Sequence, residues 1–162
     1  MRRLISVIGL LIALPLAAQQ HDPAMHQKHM AAANQSKKPN DGRQLVQFPE
    51  QMKEHTLANM QDHTLALQEI QAALASSDYD RAADVAETRL GMTALTAHGA
   101  HESSRFMPKG MQDAGSAMHR SASRFATIAK DASVTGEIKP AVGALAEVMG
   151  ACVTCHTGYR LQ

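Results

Sequence analysis

The chain has 162 residues, 44% apolar and 19% charged, enough for one domain with its own core. Taking Arg2 and Arg3 from the 16 basic residues, as part of a removable leader, leaves 14 against 15 acidic ones; a chain this close to neutral, without a long basic run, gives nucleic acid no electrostatic hold. Trp is absent and Phe48, Phe106, Phe125, Tyr79 and Tyr159 are the only aromatics, whereas Ala, Leu and Met dominate, which disfavours a β-sandwich or barrel and favours helices.

Met1-Arg2-Arg3 is followed by an apolar stretch from Leu4 to Ala18, broken by Pro15, and then by polar Gln19-Gln20-His21. This is the order of a secretory signal peptide, so residues 1–18 are expected to be removed after Ala18 on export to a bacterial periplasm. The stretch is shorter than the roughly 20 apolar residues of a spanning helix, and no later run is expected to span, so no stable membrane insertion is anticipated. Residues 19–43 carry Pro23, Pro39, Gly42 and repeated Gln, Asn and Lys without an apolar period, the composition of a tether. His21, Met25, His26, His29 and Met30 crowd one end of it; if Gln19 becomes the terminus, His21 is third, a spacing at which amine, amides and imidazole encircle Cu(II) or Ni(II).

Residues 44–162 are expected to form the domain, in four helices. The first runs from Val46 to Leu74, with Phe48 before Pro49 as a staple and Leu57, Met60, Thr64, Leu67 and Leu74 as its inward stripe. Ser76-Ser77-Asp78 supplies a cap, after which Tyr79 to about His101 carries Val85, Met92, Leu95 and Gly99 at helical spacing. A third helix from Pro108 to about Ala132 shows the stripe Met111, Gly115, Met118, Ala122, Phe125 and Ala129. Beyond Ser133-Val134-Thr135-Gly136, a fourth carries Ile138, Val142, Leu145, Met149, Cys152, His156 and Tyr159 to the chain end. Four such helices with short connections predict an all-α, antiparallel up-down-up-down four-helix bundle with no strand.

The only two cysteines stand in Cys152-Val153-Thr154-Cys155-His156, the pattern of covalent haem attachment. On a helix the second cysteine lies three positions on and the histidine four, so all three side chains fall within about one-third of the circumference. Each thiol can add to a haem vinyl group while the neighbouring imidazole ligates the iron. A disulfide or thioredoxin-like pair is the competing reading, but such a pair opens a helix after a strand, and this one closes the last helix. Zinc would lack a completed tetrahedron, and a di-iron bundle would need Glu-x-x-His on two helices, which the chain lacks.

A helical chain ending in Cys152-Val153-Thr154-Cys155-His156-Thr157-Gly158-Tyr159-Arg160 resembles the cytochrome c′ family over about residues 46–162, with motif specificity confined to that last stretch. The resemblance implies one haem c, held through Cys152 and Cys155, with His156 as proximal ligand and Arg160 near the haem edge. It also implies a homodimer through helices one and two. Relatives divide into high-spin forms that bind NO or CO and low-spin forms in which a Met of helix one completes the coordination. Met60, about 11 residues past Pro49, occupies roughly that place and is the expected sixth ligand, with His63 one turn on as the competing donor. His55, His98, His101 and His119 exceed what the family fold needs, and His98 and His101 are expected at the haem end.

Electron transfer with periplasmic redox partner proteins is therefore the leading expectation, with a five-coordinate NO- or CO-binding protein as the alternative. A haem-free periplasmic copper-binding helical protein comes third. No Ser-His-Asp set, carboxylate pair or phosphate-cradling loop can be picked out, so an enzyme is not expected.

Overall fold

The computed structural model describes residues 41–162. The expected leader (1–18) and the His- and Met-bearing part of the expected tether lie outside the described residues. The described chain is mostly helical: β1 (Gln44–Val46), α1 (Glu50–Ala75), α2 (Tyr79–Arg89), a 3-10 turn (Met92–Ala94), α3 (Ala100–Ser104), α4 (Lys109–Thr135), α5 (Ile138–Gly158) and β2 (Tyr159–Leu161).

The expected punctuation operates, with one exception. Pro49 sits at the N-cap of α1 and Phe48 packs with Met52 just inside it; the Asp78 carboxylate accepts from the Arg81 backbone N–H at 3.1 Å to cap α2. Gly136, at φ +75°, closes α4 in the left-handed conformation. The second helix does not reach His101 as expected. It stops at Arg89 because Thr93 captures the end of the helix: its hydroxyl donates to the Glu87 carbonyl at 2.7 Å and its N–H to the Glu87 carboxylate at 3.2 Å. Gly91 lies so close to Glu87 that a Cβ there would overlap it, and Gly99, at φ +60°, turns the chain again into α3.

The expected absence of strands is also corrected. Residues Gln44, Leu45 and Val46 pair in parallel with Tyr159, Arg160 and Leu161, because α5 unwinds at Gly158 and leaves an extended tail that β1 can meet. Asp41 and Arg43, placed in the tether by composition, are engaged there too: Arg43 pairs with Asp41 at 2.7 Å and donates to the His156 carbonyl at 3.4 Å.

Helix α4 packs on both α2 and α5, and α1 packs on α2. Arg89 of α2 pairs with Asp62 and, at 2.7 Å, with Glu69 of α1, and Arg124 of α4 pairs with Glu147 of α5. Ile70, Leu90, Phe125 and Val148 are fully buried between these helices, surrounded by alanines. Every residue of the expected α4 stripe faces inward, only Gly115 being half-buried. The stripes expected for the first and fourth helices are rotated by about one position. In α1 the buried face is Thr56, His63, Ala66, Ile70, Ala73 and Leu74, and Leu57 is 45% exposed; in α5 it is Ala141, Ala144, Leu145 and Val148, with Val142 and Met149 outside. Small alanines make the close helix contacts, so the larger side chains do not mark the inward face. Helix α5 is, by length and composition, apolar enough to cross a membrane, contrary to expectation; it also supplies the buried Ala141, Ala144, Leu145 and Val148 of the core.

Candidate haem-attachment cavity

At the end of the domain where α5 gives way to β2, a cavity of about 420 Å³ opens between α1, the 95–104 segment, α4 and the chain end. That volume falls within the range of small-molecule and cofactor sites. One wall is Cys155, His156, Tyr159, Arg160 and Leu161; the opposite wall is Thr56, Leu57, Met60 and His63 of α1; Met111, Gly115, Met118 and His119 of α4 form the floor. The expected site residues Cys155, His156, Arg160 and Met60 are thus brought to one cavity, together with His63.

Cys152 stands apart from that lining. It is half-buried and packs on the main core, whereas Cys155 packs on the smaller cluster of Val46, Phe48 and Met111. Both cysteines are free thiols, and burial pushes both up from the ordinary thiol value. A thioredoxin-like nucleophile has the opposite shift. His156 is exposed on the last turn, its backbone carbonyl held by Arg43. Arg160 is exposed and sits 3.5 Å from the Asp41 carboxylate, which it shares with Arg43; Arg43 also lines the cavity, so two guanidiniums reach its rim where one was expected. Tyr159 lies over the first turn of α4, where a Cβ at Gly110 would overlap its hydroxyl, and the tail can lie this close only because residue 110 is glycine.

Met60 is half-buried on the α1 wall. The wall's polar feature is a cluster of three imidazoles that sequence reasoning counted singly but did not assemble. His63, His98 and His119 come from α1, the loop before α3, and α4, with ring centres 4.8 Å (His63–His98), 5.4 Å (His98–His119) and 6.2 Å (His63–His119) apart. His63 and His119 are more than nine-tenths buried. The His119 Nδ1 lies 2.7 Å from the Leu90 carbonyl. A carbonyl only accepts, so this nitrogen carries the proton and Nε2 keeps its lone pair. Asn59 donates to the His98 carbonyl at 3.1 Å and pins the loop against α1. Neither His63 Nε2 nor His98 Nδ1 has a hydrogen-bond partner. Burial is the first cause that lowers all three imidazoles from the ordinary value, His63 to about 4; neighbouring rings add repulsion at His63 and His98, whereas backbone hydrogen bonds partly oppose the shift at His119. His101, expected beside His98, lies on the outside of α3 and does not line the cavity.

Whether the chain's own residues suit a porphyrin can be judged from the donor set. An exposed imidazole and a half-buried thiol share one wall of a largely apolar cavity, a second thiol stands one turn earlier on the same helix, and two guanidiniums reach the rim. These groups fit the attachment chemistry implied by the Cys-x-x-Cys-His spacing. No protein-family model, no curated protein and no solved structure matches the chain.

Proposed function

We propose that this chain is a periplasmic c-type cytochrome of the cytochrome c′ kind, an antiparallel four-helix bundle that carries electrons through one covalently attached haem c. The observation that carries the reading is the convergence of Cys155 and His156, from the attachment motif, with Met60 across a single 420 Å³ cavity. When bound, the haem supplies a one-electron couple whose potential follows from its axial ligands and its burial. The chain's part is to fix the cofactor and shield it. Cys152 and Cys155 would provide the two thioether sulfurs, and His156 and Met60 would ligate the iron, with His63 as the nearby alternative to Met60. Arg160 and Arg43 stand where carboxylate side groups of a porphyrin would need charge partners. Met107 and Met111 keep water from the apolar walls. Redox partner proteins of the periplasm follow from the same reading, as does a homodimer through the first two helices.

The test is export in a bacterium with working cytochrome maturation. One covalently bound haem by intact mass is expected, with attachment lost in the Cys152→Ala/Cys155→Ala chain; a colourless polypeptide of unmodified mass overturns the proposal. The NO/CO-binding reading is separated by adding CO to the reduced protein. A carrier with Met60 engaged shows no rapid spectral change, whereas a gas binder does.

A further inference from the structure

Apart from the attachment motif, the molecule's most unusual chemical feature is the trio of buried imidazoles. Burying a polar group without a partner is costly, because it gives up its hydrogen bonds to water and gains none. Two such nitrogens in one place, on His63 and His98, leave a strong demand for a hydrogen-bond donor or a Lewis acid. The third ring is already prepared as ligating histidines are: its Nδ1–H donates to a backbone carbonyl, which fixes the tautomer and aims the lone pair of Nε2 away from that bond.

We propose that His63 Nε2, His98 Nδ1 and His119 Nε2 form a binding site for one divalent ion of the zinc and copper class, in the wall of the cavity and distinct from the haem iron, a site that rests on Met60 rather than His63 facing the iron. Imidazole is the side chain these ions favour, and three neutral imidazoles with one position left open is an established donor set. Rings that share such an ion through bonds of about 2.0–2.1 Å have their centres roughly 5 Å apart. The observed separations of 4.8 and 5.4 Å already match, and only the 6.2 Å between His63 and His119 must close. Among the described residues no three His, Cys, Asp or Glu side chains converge on one point in this arrangement, so binding requires the rings to turn. The torsion that turns them joins an sp³ to an sp² carbon and has a broad, shallow profile.

The remaining surroundings bear on charge. Asp62 lies near His63 and His98 but is engaged by Arg89, and His55 lies near His98. The three-imidazole set is thus expected to bind without a carboxylate, keeping the ion's full double charge.

Exported chain with His21, His26 and His29 changed to Ala, which removes competing imidazoles outside the domain, is titrated with Zn²⁺ and separately with Cu²⁺ against a chromophoric chelator. One ion per chain is expected, with affinity weakened at least tenfold in each of His63→Leu and His119→Leu and unchanged in His101→Ala. Zn²⁺ should raise the melting temperature of the parent but not of His63→Leu, a chain expected to fold at least as well because it lacks the unpartnered nitrogen. Absence of stoichiometric binding, or binding indifferent to His63 and His119, overturns the site. So does a haem spectrum that changes in His63→Leu as an axial ligand would require. Haem content is read from the mass of the same preparation, so failure of the cytochrome reading and failure of the metal site are told apart.

Discussion

The two ends of the domain solve opposite problems with the same helices. Around Phe125, Ile70, Leu90 and Val148, alanines let the helices approach closely and these four side chains are fully covered. Around His63, His98 and His119 the same α1 and α4 border a cavity of 420 Å³, and the side chains that face it include methionine, imidazole and thiol. The closed end holds the fold with atoms that can do no chemistry. The open end leaves polar atoms unsatisfied, a cost the closed end offsets.

Phe125→Ala should break the closed end most severely, costing about 3–5 kcal/mol in urea unfolding, since no solvent-filled space adjoins the lost ring. Met111→Ala on the cavity floor should cost near 2 kcal/mol, the low end for such truncations, because the space it vacates merges with one already open. Equal losses at the two sites would erase the distinction.

Acidification should weaken the open end selectively. His63 has a folded value of about 4 against an ordinary 6.5, so the unfolded chain takes up a proton first as pH falls. The stabilising contribution is complete above about pH 6.5 and is lost progressively down to about pH 4, on the order of 3 kcal/mol. Asp62 opposes this loss slightly, while His98, His119 and Arg89 reinforce it. Urea midpoints of the chelator-treated chain against pH measure the slope. In His63→Leu the slope should shrink to what His98 and His119, also lowered, still contribute.

The smallest effect is at the turn between α1 and α2. There Asp78→Ala removes one capping bond and should cost about 1 kcal/mol in urea unfolding, leaving haem content and metal affinity unchanged.

What could be read before the structure follows the same division. The α4 stripe was legible because this helix packs on two neighbours and presents its large and small apolar residues on one face. In α1 and α5, apolar side chains occur on two faces, and Leu57, Val142 and Met149 misled the phase; the alanines that make the contacts carry too weak a hydropathy signal to correct it. The helix break at Leu90-Gly91 depended on Thr93 reaching back to Glu87, a side-chain bond that periodicity does not register. Cys152, Cys155 and His156 were legible because their spacing is local to one helix. The imidazole cluster was not, because its members come from three elements and meet only through the packing that brings α1, the 95–104 segment and α4 together.

The short parallel ladder at the end of the chain has a consequence for the order of events. Gln47 and Gln162, just beyond its last pair, touch across 115 residues of sequence, so closing it is a late, entropically expensive act of folding. Until Leu161 meets Val46, the last turn of α5, which bears Cys155 and His156, lacks the ladder that follows it. On the proposed haem attachment, a ligating enzyme would have its widest access to the two thiols in the interval before that latch shuts. A variant that cannot shut it, such as Val46→Asp, should accept the cofactor yet hold it in a frayed and wetter pocket.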